Sequence, residues 1–319
     1  MPFLTTISGS RLVYPGGFTP VRANGYVSPP RVLEPETIAH MQRVAAAGGV
    51  NANLFAVDDG YKFIKTRNLM NTNPALPHLQ LCFDARYGVK LDGTNRVTTL
   101  FSLLSSAEDA NLVTLTPNIP GPEYLPTGMM GKPALRFSNS GLMTAPIDCL
   151  KTGEYGHCAL IQMPIPTQNG AIGYSHGGYG VDNFLIHSDG FMRQCFSYDY
   201  QGYQVYIASN GGGGYVGAPA RTIARYKESR SPLQLLASGN GEFSSIYGTA
   251  TIRPTISYTA PVTLGYRGYG DGSVYTMSTN TFFSTLWILD REDSTLLSDL
   301  DLFIKRSTKW MRRNSQAGA

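Results

Sequence analysis

The chain has 319 residues, 42% of them hydrophobic and 15% charged, with 35 glycines, 20 prolines and 19 tyrosines. The charge content is low against the roughly 25% of an average globular domain, and the glycine and proline content predicts a turn-rich β protein with a sizeable core. A net charge of +4 is too mild for a nucleic-acid stripe, and no run approaches the roughly 18 apolar residues of a membrane-spanning helix.

Residues 1–35 read as an extended arm. Pro15, Pro20, Pro29, Pro30 and Pro35 forbid regular structure, while Phe3, Leu4, Leu12, Val13, Tyr14, Phe18 and Val21 are more apolar side chains than a free linker carries. Such an arm lies on its own domain or on a neighbour. Met1–Ser8 lacks the basic start and long apolar run of a secretory signal, so the expectation is a protein made in a cytosol.

Residues 36–76 form a short helical segment. A first helix is predicted over 35–47, with Pro35 at its start, Ile38, Met41, Val44 and Ala45 on one face, and Gly48-Gly49 ending it. A second is predicted from Asn53 to Lys65, and Asn73-Pro74 and Leu76-Pro77 then mark a boundary.

From residue 78 the pattern is β. Strands are predicted at 79–84, 112–116, 133–138, 156–163, 182–188, 191–197, 202–209, 220–226, 232–237, 248–258, 261–266 and 282–289. Asn169-Gly170, Asp189-Gly190, Asn210-Gly211, Asn240-Gly241 and Asp271-Gly272 punctuate them. Both residues of such dipeptides tolerate positive φ, which suits hairpin turns and argues for a large antiparallel sandwich. After the strand at 282–289 the period changes. Leu296, Leu297, Leu300, Phe303, Ile304 and Trp310–Met311 fall at helical spacing, Asp293 or Ser294 can cap the start, and Lys305–Arg313 place bases at the end, so a C-terminal helix is predicted over 293–312. Its packing side carries Leu297, Leu300, Ile304 and Trp310.

Cys82, Cys149, Cys158 and Cys195 show no C-x-x-C spacing, which excludes zinc and thioredoxin-type sites; buried thiols are expected, with a Cys149–Cys158 bridge as the open alternative. His40, His78, His157, His176 and His187 form no ligand pattern, so no metal and no cofactor is expected; His157 and His187 read as strand residues. Gly211–Gly214 lacks the helix and Lys-Ser/Thr ending of a phosphate loop and reads as a hairpin tip. No β segment carries the paired carboxylates of a glycosidase, and no G-x-S-x-G elbow is present, so no catalytic residue is assigned. Two Gly/Tyr-rich stretches remain, 173–180 and 265–272. Tyr174, His176, Tyr179, Tyr266, Arg267 and Tyr269 are the candidate contact residues, suited to a protein interface and also to stacking on a sugar ring.

Four segments in order carry a family resemblance. Leu79-Gln-Leu-Cys-Phe-Asp84-Ala85, Gly131-Lys-Pro-Ala-Leu-Arg-Phe137, Val262-Thr-Leu-Gly265, and Leu289-Asp290-Arg291 followed by Ser294 and a helix ending Lys309-Trp310 resemble the strands and close of concanavalin A-like (laminin-G-like) jelly-roll domains in phage virion proteins and secreted bacterial proteins. Phe83 stands where that family often has Trp, and Ser138-Asn139 where it often has Asp-Gly. The stretch Ile38–Gly49, with Asn68-Leu69-Met70-Asn71 after it, resembles a segment that precedes such domains in phage structural proteins. The resemblance implies a concanavalin A-like antiparallel β-sandwich over 77–319, behind the arm and the helical segment. It further implies a non-enzymatic bacteriophage virion component of head, collar or tail fibre, made in the host bacterial cytoplasm. Its partners would be other virion proteins and copies of itself. The alternative is a lectin-like module for a host surface glycan.

Overall fold

The computed structural model describes main and side chains of residues 31–70, 79–113, 119–147, 156–161, 261–265, 281–290 and 293–308, and elsewhere the backbone of the strands named below. The protein is mainly β: two large antiparallel sheets, with three helices among the described residues. Seven strands of the first sheet run in the order Ser244–Gly248, Arg230–Ser238, Ala220–Lys227, Glu154–Gln162, Thr281–Leu289, Lys132–Phe137 and Glu123–Met129. The second sheet runs Ile207–Ser209, Met192–Cys195, Asp182–Ser188, Gly170–Ser175, Ala260–Leu264, Leu142–Ile147, Ala110–Leu112, Val97–Leu100 and Val89–Leu91.

The first sheet is built around Thr281–Leu289. Glu154–Gln162 pairs along one edge of it. Its other edge is shared: Lys132–Phe137 pairs with Thr281–Phe283, and the eighth strand, Leu79–Asp84, pairs with Thr285–Leu289. The two half-edge strands abut at Ser284, whose carbonyl accepts from the Ala85 amide (2.9 Å) and whose hydroxyl donates to the Pro133 carbonyl (2.7 Å). The hairpin feeding Lys132 turns through Met130 and Gly131, both at positive φ (50° and 72°), as a tight two-residue hairpin requires.

Successive strand residues face opposite ways, so each inner strand serves two cores. Leu81, Phe83, Leu135, Phe137, Leu286 and Ile288 are buried towards the second sheet, which returns Leu142, Val262 and Leu264. Gly265, at φ +77°, brings the sheets together: a Cβ there would sit 2.0 Å from the Phe137 ring. The opposite row, Cys82, Trp287 and Cys158 with Ala134 and Leu160, lies under the helices.

Helix α1 (Pro35–Ala46) begins at a proline that loses no hydrogen bond there. Helix α2 (Leu54–Thr66) is capped by Asn53, whose side chain accepts from the Ala56 amide. Helix α3 (Ser294–Arg306) is capped by Asp293, which accepts from Leu296. Ala56, Val57 and Ile64 of α2 and Leu296, Leu297, Leu300 and Ile304 of α3 are buried in one cluster with Trp287. Phe63 and Phe303 stand edge-on to the indole at 5.6 and 5.7 Å. The segment before α1 is tied to α2 by Asp58, a fully buried carboxylate that accepts from Arg31 Nε (2.7 Å) and the Glu34 amide (2.8 Å) and pairs with Lys62 (2.8 Å). On α1, His40 Nε2 donates to the Tyr87 carbonyl (2.6 Å), and burial pushes its pKa down to about 4, so the ring is neutral.

The first two predicted helices and the strands at 79–84, 182–188 and 282–289 are present within a residue or two, whereas the helix predicted over 293–312 starts as expected but ends at Arg306, where Ser307 caps it. Asp189-Gly190, Asn240-Gly241 and Asp271-Gly272 each fall between antiparallel partners. Nine strands escape the sequence pattern or touch it at one residue only: Val89–Leu91, Val97–Leu100, Ala110–Leu112, Glu123–Met129, Leu142–Ile147, Gly170–Ser175, Ser244–Gly248, Tyr266–Gly268 and Val274–Thr276. They are short, or they carry Pro126, Gly128, Pro146 or Gly173, residues that read as breakers and are tolerated near edges and bulges. The arm expected to be irregular contains a small antiparallel pair, Ile7–Ser8 with Arg11–Leu12; the rest of 1–30, Trp310–Met311 and the Gly211–Gly214 tip lie outside the described residues. Cys82 and Cys158 are buried thiols, so Cys158 is not half of the alternative bridge to Cys149, a residue outside the described set.

Truncating Trp287 to alanine removes the side chain on which both helices and both thiols converge. The expected loss is about 3–5 kcal/mol of unfolding free energy, read by denaturant titration, with Trp287→Phe losing markedly less. An unchanged midpoint would show that the helices do not depend on this contact.

Candidate functional site

The described residues bring one cluster of charges together in the interior, at the point where the two half-edge strands abut. Asp84 ends Leu79–Asp84, Thr285 is its register partner on the long strand, and Lys132 opens Lys132–Phe137. Lys132 Nζ lies 2.6 Å from Asp84 Oδ2, with both side chains about 1% exposed. Lys132 also donates to Thr285 Oγ1 (2.6 Å), and Thr285 donates to Asp84 Oδ2 (3.1 Å). Arg86, two residues past Asp84, folds back and grips both carboxylate oxygens, Nε to Oδ1 at 2.9 Å and Nη2 to Oδ2 at 3.0 Å, while its amide donates to Oδ1 (2.9 Å).

Burial alone would raise the Asp84 pKa. Arg86 and then Lys132 outweigh it and hold the carboxyl well below the ordinary range. Lys132 is less well compensated: burial pushes it down to about 8, and the one anion that could restore it is shared with Arg86. The cluster therefore carries one net positive charge in a dry site.

An amine against a carboxyl could in principle condense to an amide. That step requires a protonated acid and expels water. Arg86 opposes it by keeping Asp84 ionised, so the geometry holds an ion pair. Asp84, Lys132 and Thr285 are all buried, and of the cluster Arg86 alone is partly exposed. Among the described residues no three His, Cys, Asp or Glu side chains converge as a metal site. His157 is buried in Glu154–Gln162, where burial lowers its pKa to about 3.

The predicted contact residues fall on the second sheet and beside it. Tyr174 is in the strand Gly170–Ser175, opposite Asn183 and Val262, and not in a loop. Tyr266 and Arg267 are likewise in a strand, Tyr266–Gly268, paired with Val274–Thr276. These two strands are in contact, so the two Tyr-bearing stretches share one region. His176, Tyr179 and Tyr269 lie outside the described residues. The sequence reading overlooked Asp84–Lys132–Arg86. The signal was present: an acid ending one apolar strand and a lysine opening another, both at positions whose neighbours two residues along, Cys82 and Ala134, are core.

No family model and no curated protein matches the chain. Solved structures similar in part include a Trypanosoma rangeli sialidase in complex with sialic acid (11% identity, 72% of this chain and 33% of that one, TM-score 0.41). Others are the binding domain of botulinum neurotoxin DC with SialylT (10%, 71% and 51%, 0.41) and a GH54 α-L-arabinofuranosidase soaked with a cyclic sulfate inhibitor (8%, 67% and 51%, 0.46). The chain spans between a third and about half of those chains. These likenesses amount to β-rich architecture and bear on no activity.

Lys132 sets a pH dependence. Its folded pKa of about 8 lies below the ordinary 10.5, so between those values Lys132 contributes stability that rises with pH by on the order of 3 kcal/mol, against the opposite trend of buried Cys82 and Tyr87, whose pKa values burial pushes up. Lys132→Met should remove this contribution, read as the difference between its pH profile and that of the unsubstituted protein, and leave the balanced Asp84–Arg86 pair. Asp84→Asn strands the buried Lys132 and the partly buried Arg86 and should lose about 3–5 kcal/mol. Denaturation across pH 7–11 checks the order, and an intact mass lighter by one water would show an amide in place of the ion pair.

Proposed function

We propose that this is a non-enzymatic structural protein of a bacteriophage virion, built on a concanavalin A-like jelly-roll sandwich and acting through assembly contacts. One observation carries the reading: the segments that resemble the family meet each other. Asp84 of the first pairs with Lys132 of the second. Gly265 of the third makes room for Phe137 of the second. Asp290 of the fourth accepts from Gln80 of the first (3.2 Å). Segments that resemble a family by chance have no reason to be mutual neighbours across more than two hundred residues of chain, the Gln80–Asp290 separation being 210.

In this reading the buried charges serve architecture, and function sits at the surface. Residues 1–35 are an assembly arm for other virion proteins or for copies of this chain, and the region of Tyr174, Tyr266 and Arg267 is a second contact surface. The adjacency of those strands also favours the second reading, a lectin-like face for a host surface glycan.

Mass spectrometry and antibody labelling of purified particles test the first reading; the protein should be present in fixed copy number and lost from particles when residues 1–30 are deleted. Presence only in the soluble fraction of infected cells would reject it. Glycan-array binding by the isolated protein, abolished by Tyr174→Ala, would move the assignment to the lectin reading.

A further inference from the structure

Helices α2 and α3 cover one sheet face, and between them runs a groove of about 610 Å³, within the range of about 300–1,000 Å³ that ligand clefts occupy. Its apolar part is Phe63 from α2 with Leu302 and Phe303 from α3; the two phenyl rings meet at 4.8 Å, and Leu302 remains 38% exposed. Its charges are unequal: four cations, Lys62, Arg67, Arg86 and Arg306, face two acids, Asp59 and Asp299.

Those acids are already engaged. Asp59 takes Arg31 (2.5 Å) and Asp299 takes Arg67 across the groove (2.7 Å). Lys62 is held by Asp58 and Arg86 by Asp84. Arg306 has no ion-pair partner among the described residues. Counting the outside partners as well leaves the same excess of two positive charges, because Arg31 and Lys132 balance Asp58 and Asp84. Exposed arginine beside aromatic and leucine side chains is the composition of an interface anchor.

We propose that this groove binds an acidic amphipathic segment of a partner protein, with a carboxylate on Arg306 and apolar side chains on Leu302, Phe63 and Phe303. The acidic side chains such a segment needs are not found in residues 1–30 or 309–319, which contain no Asp or Glu, and the latter carries Lys309, Arg312 and Arg313, of the same sign as the groove.

The test uses the full-length protein and two short labelled peptides with leucines at helical spacing, one with glutamates between them and one with lysines, followed by fluorescence anisotropy. The glutamate peptide should bind, more weakly as salt rises, and the lysine peptide should not. Arg306→Glu should weaken binding by about tenfold or more, and Arg306→Lys should retain most of it. Arg306 is exposed and unpaired among the described residues, so the fold should survive; Leu302→Glu provides a second variant with the same expected loss. Equal binding of both peptides, or no effect of either substitution, overturns the proposal. So does binding seen only after removal of residues 309–319, which would make the groove the seat of the chain's own end. Self-association abolished by Leu302→Glu would make the occupant a second copy and overturns it too.

Discussion

The Asp84 carboxylate is the constraint on which the described core depends. Two strands share one edge of Thr281–Leu289, and where they abut no ladder hydrogen bond can join them. Asp84, Lys132, Arg86 and Thr285 fill that place. A buried ion cluster is weak evidence for stability, because desolvation of the ions offsets much of their attraction. Its effect here is on alignment. A one-residue slip of either strand would turn its charge to the other face of the sheet and leave it unpaired among apolar side chains. The cluster therefore selects one register for both strands at once, and with it the row of Cys82, Trp287 and Cys158 that the helices need.

The same device recurs. Asp58 holds Arg31 and Lys62 and so fixes the chain entering α1. Asp109 takes Arg43 of α1 (2.6 Å) and the Ser102 amide (2.7 Å), which ties that helix to a loop. Each is a carboxylate at most 5% exposed that joins segments distant in sequence. The chain has few charges, and among the described residues Asp58, Asp84 and Asp109 act as buried nodes.

Much of this architecture was legible. Asn53 and Asp293 signal helix starts because their side chains satisfy free amides, and the aromatic run of the last strand admits no other element. The face-sharing of α2 and α3 was not legible, since each shows only an apolar stripe and neither stripe names its partner. The strand from Glu123 was hidden by Pro126 and Gly128, and the register of Lys132 depends on a turn in which Met130 takes a left-handed conformation no propensity would assign it. Tyr174 lay outside every predicted strand because glycines flank it; pairing with Ala260–Leu264 and Asp182–Ser188 overrides that local preference. Of the site, the individual residues lay in view, but only tertiary structure joins Asp84 to Lys132.

The shared edge also fixes the order in which the molecule can be made. Asp84 and Thr285 are 201 residues apart, and both half-edge strands find their common partner only near the end of the chain. At roughly 5–20 residues per second, a ribosome needs about 10–40 seconds to span that interval. Throughout it the apolar strand Leu79–Asp84 is outside the exit tunnel without the neighbour that completes it. The first sheet is thus closed only once Thr281–Leu289 has been made, through contacts of long sequence separation, a regime that folds slowly and leaves strand edges open to other chains. Asp84 itself, hydrated and charged while it waits, keeps the end of that strand soluble until Lys132 and Arg86 enclose it.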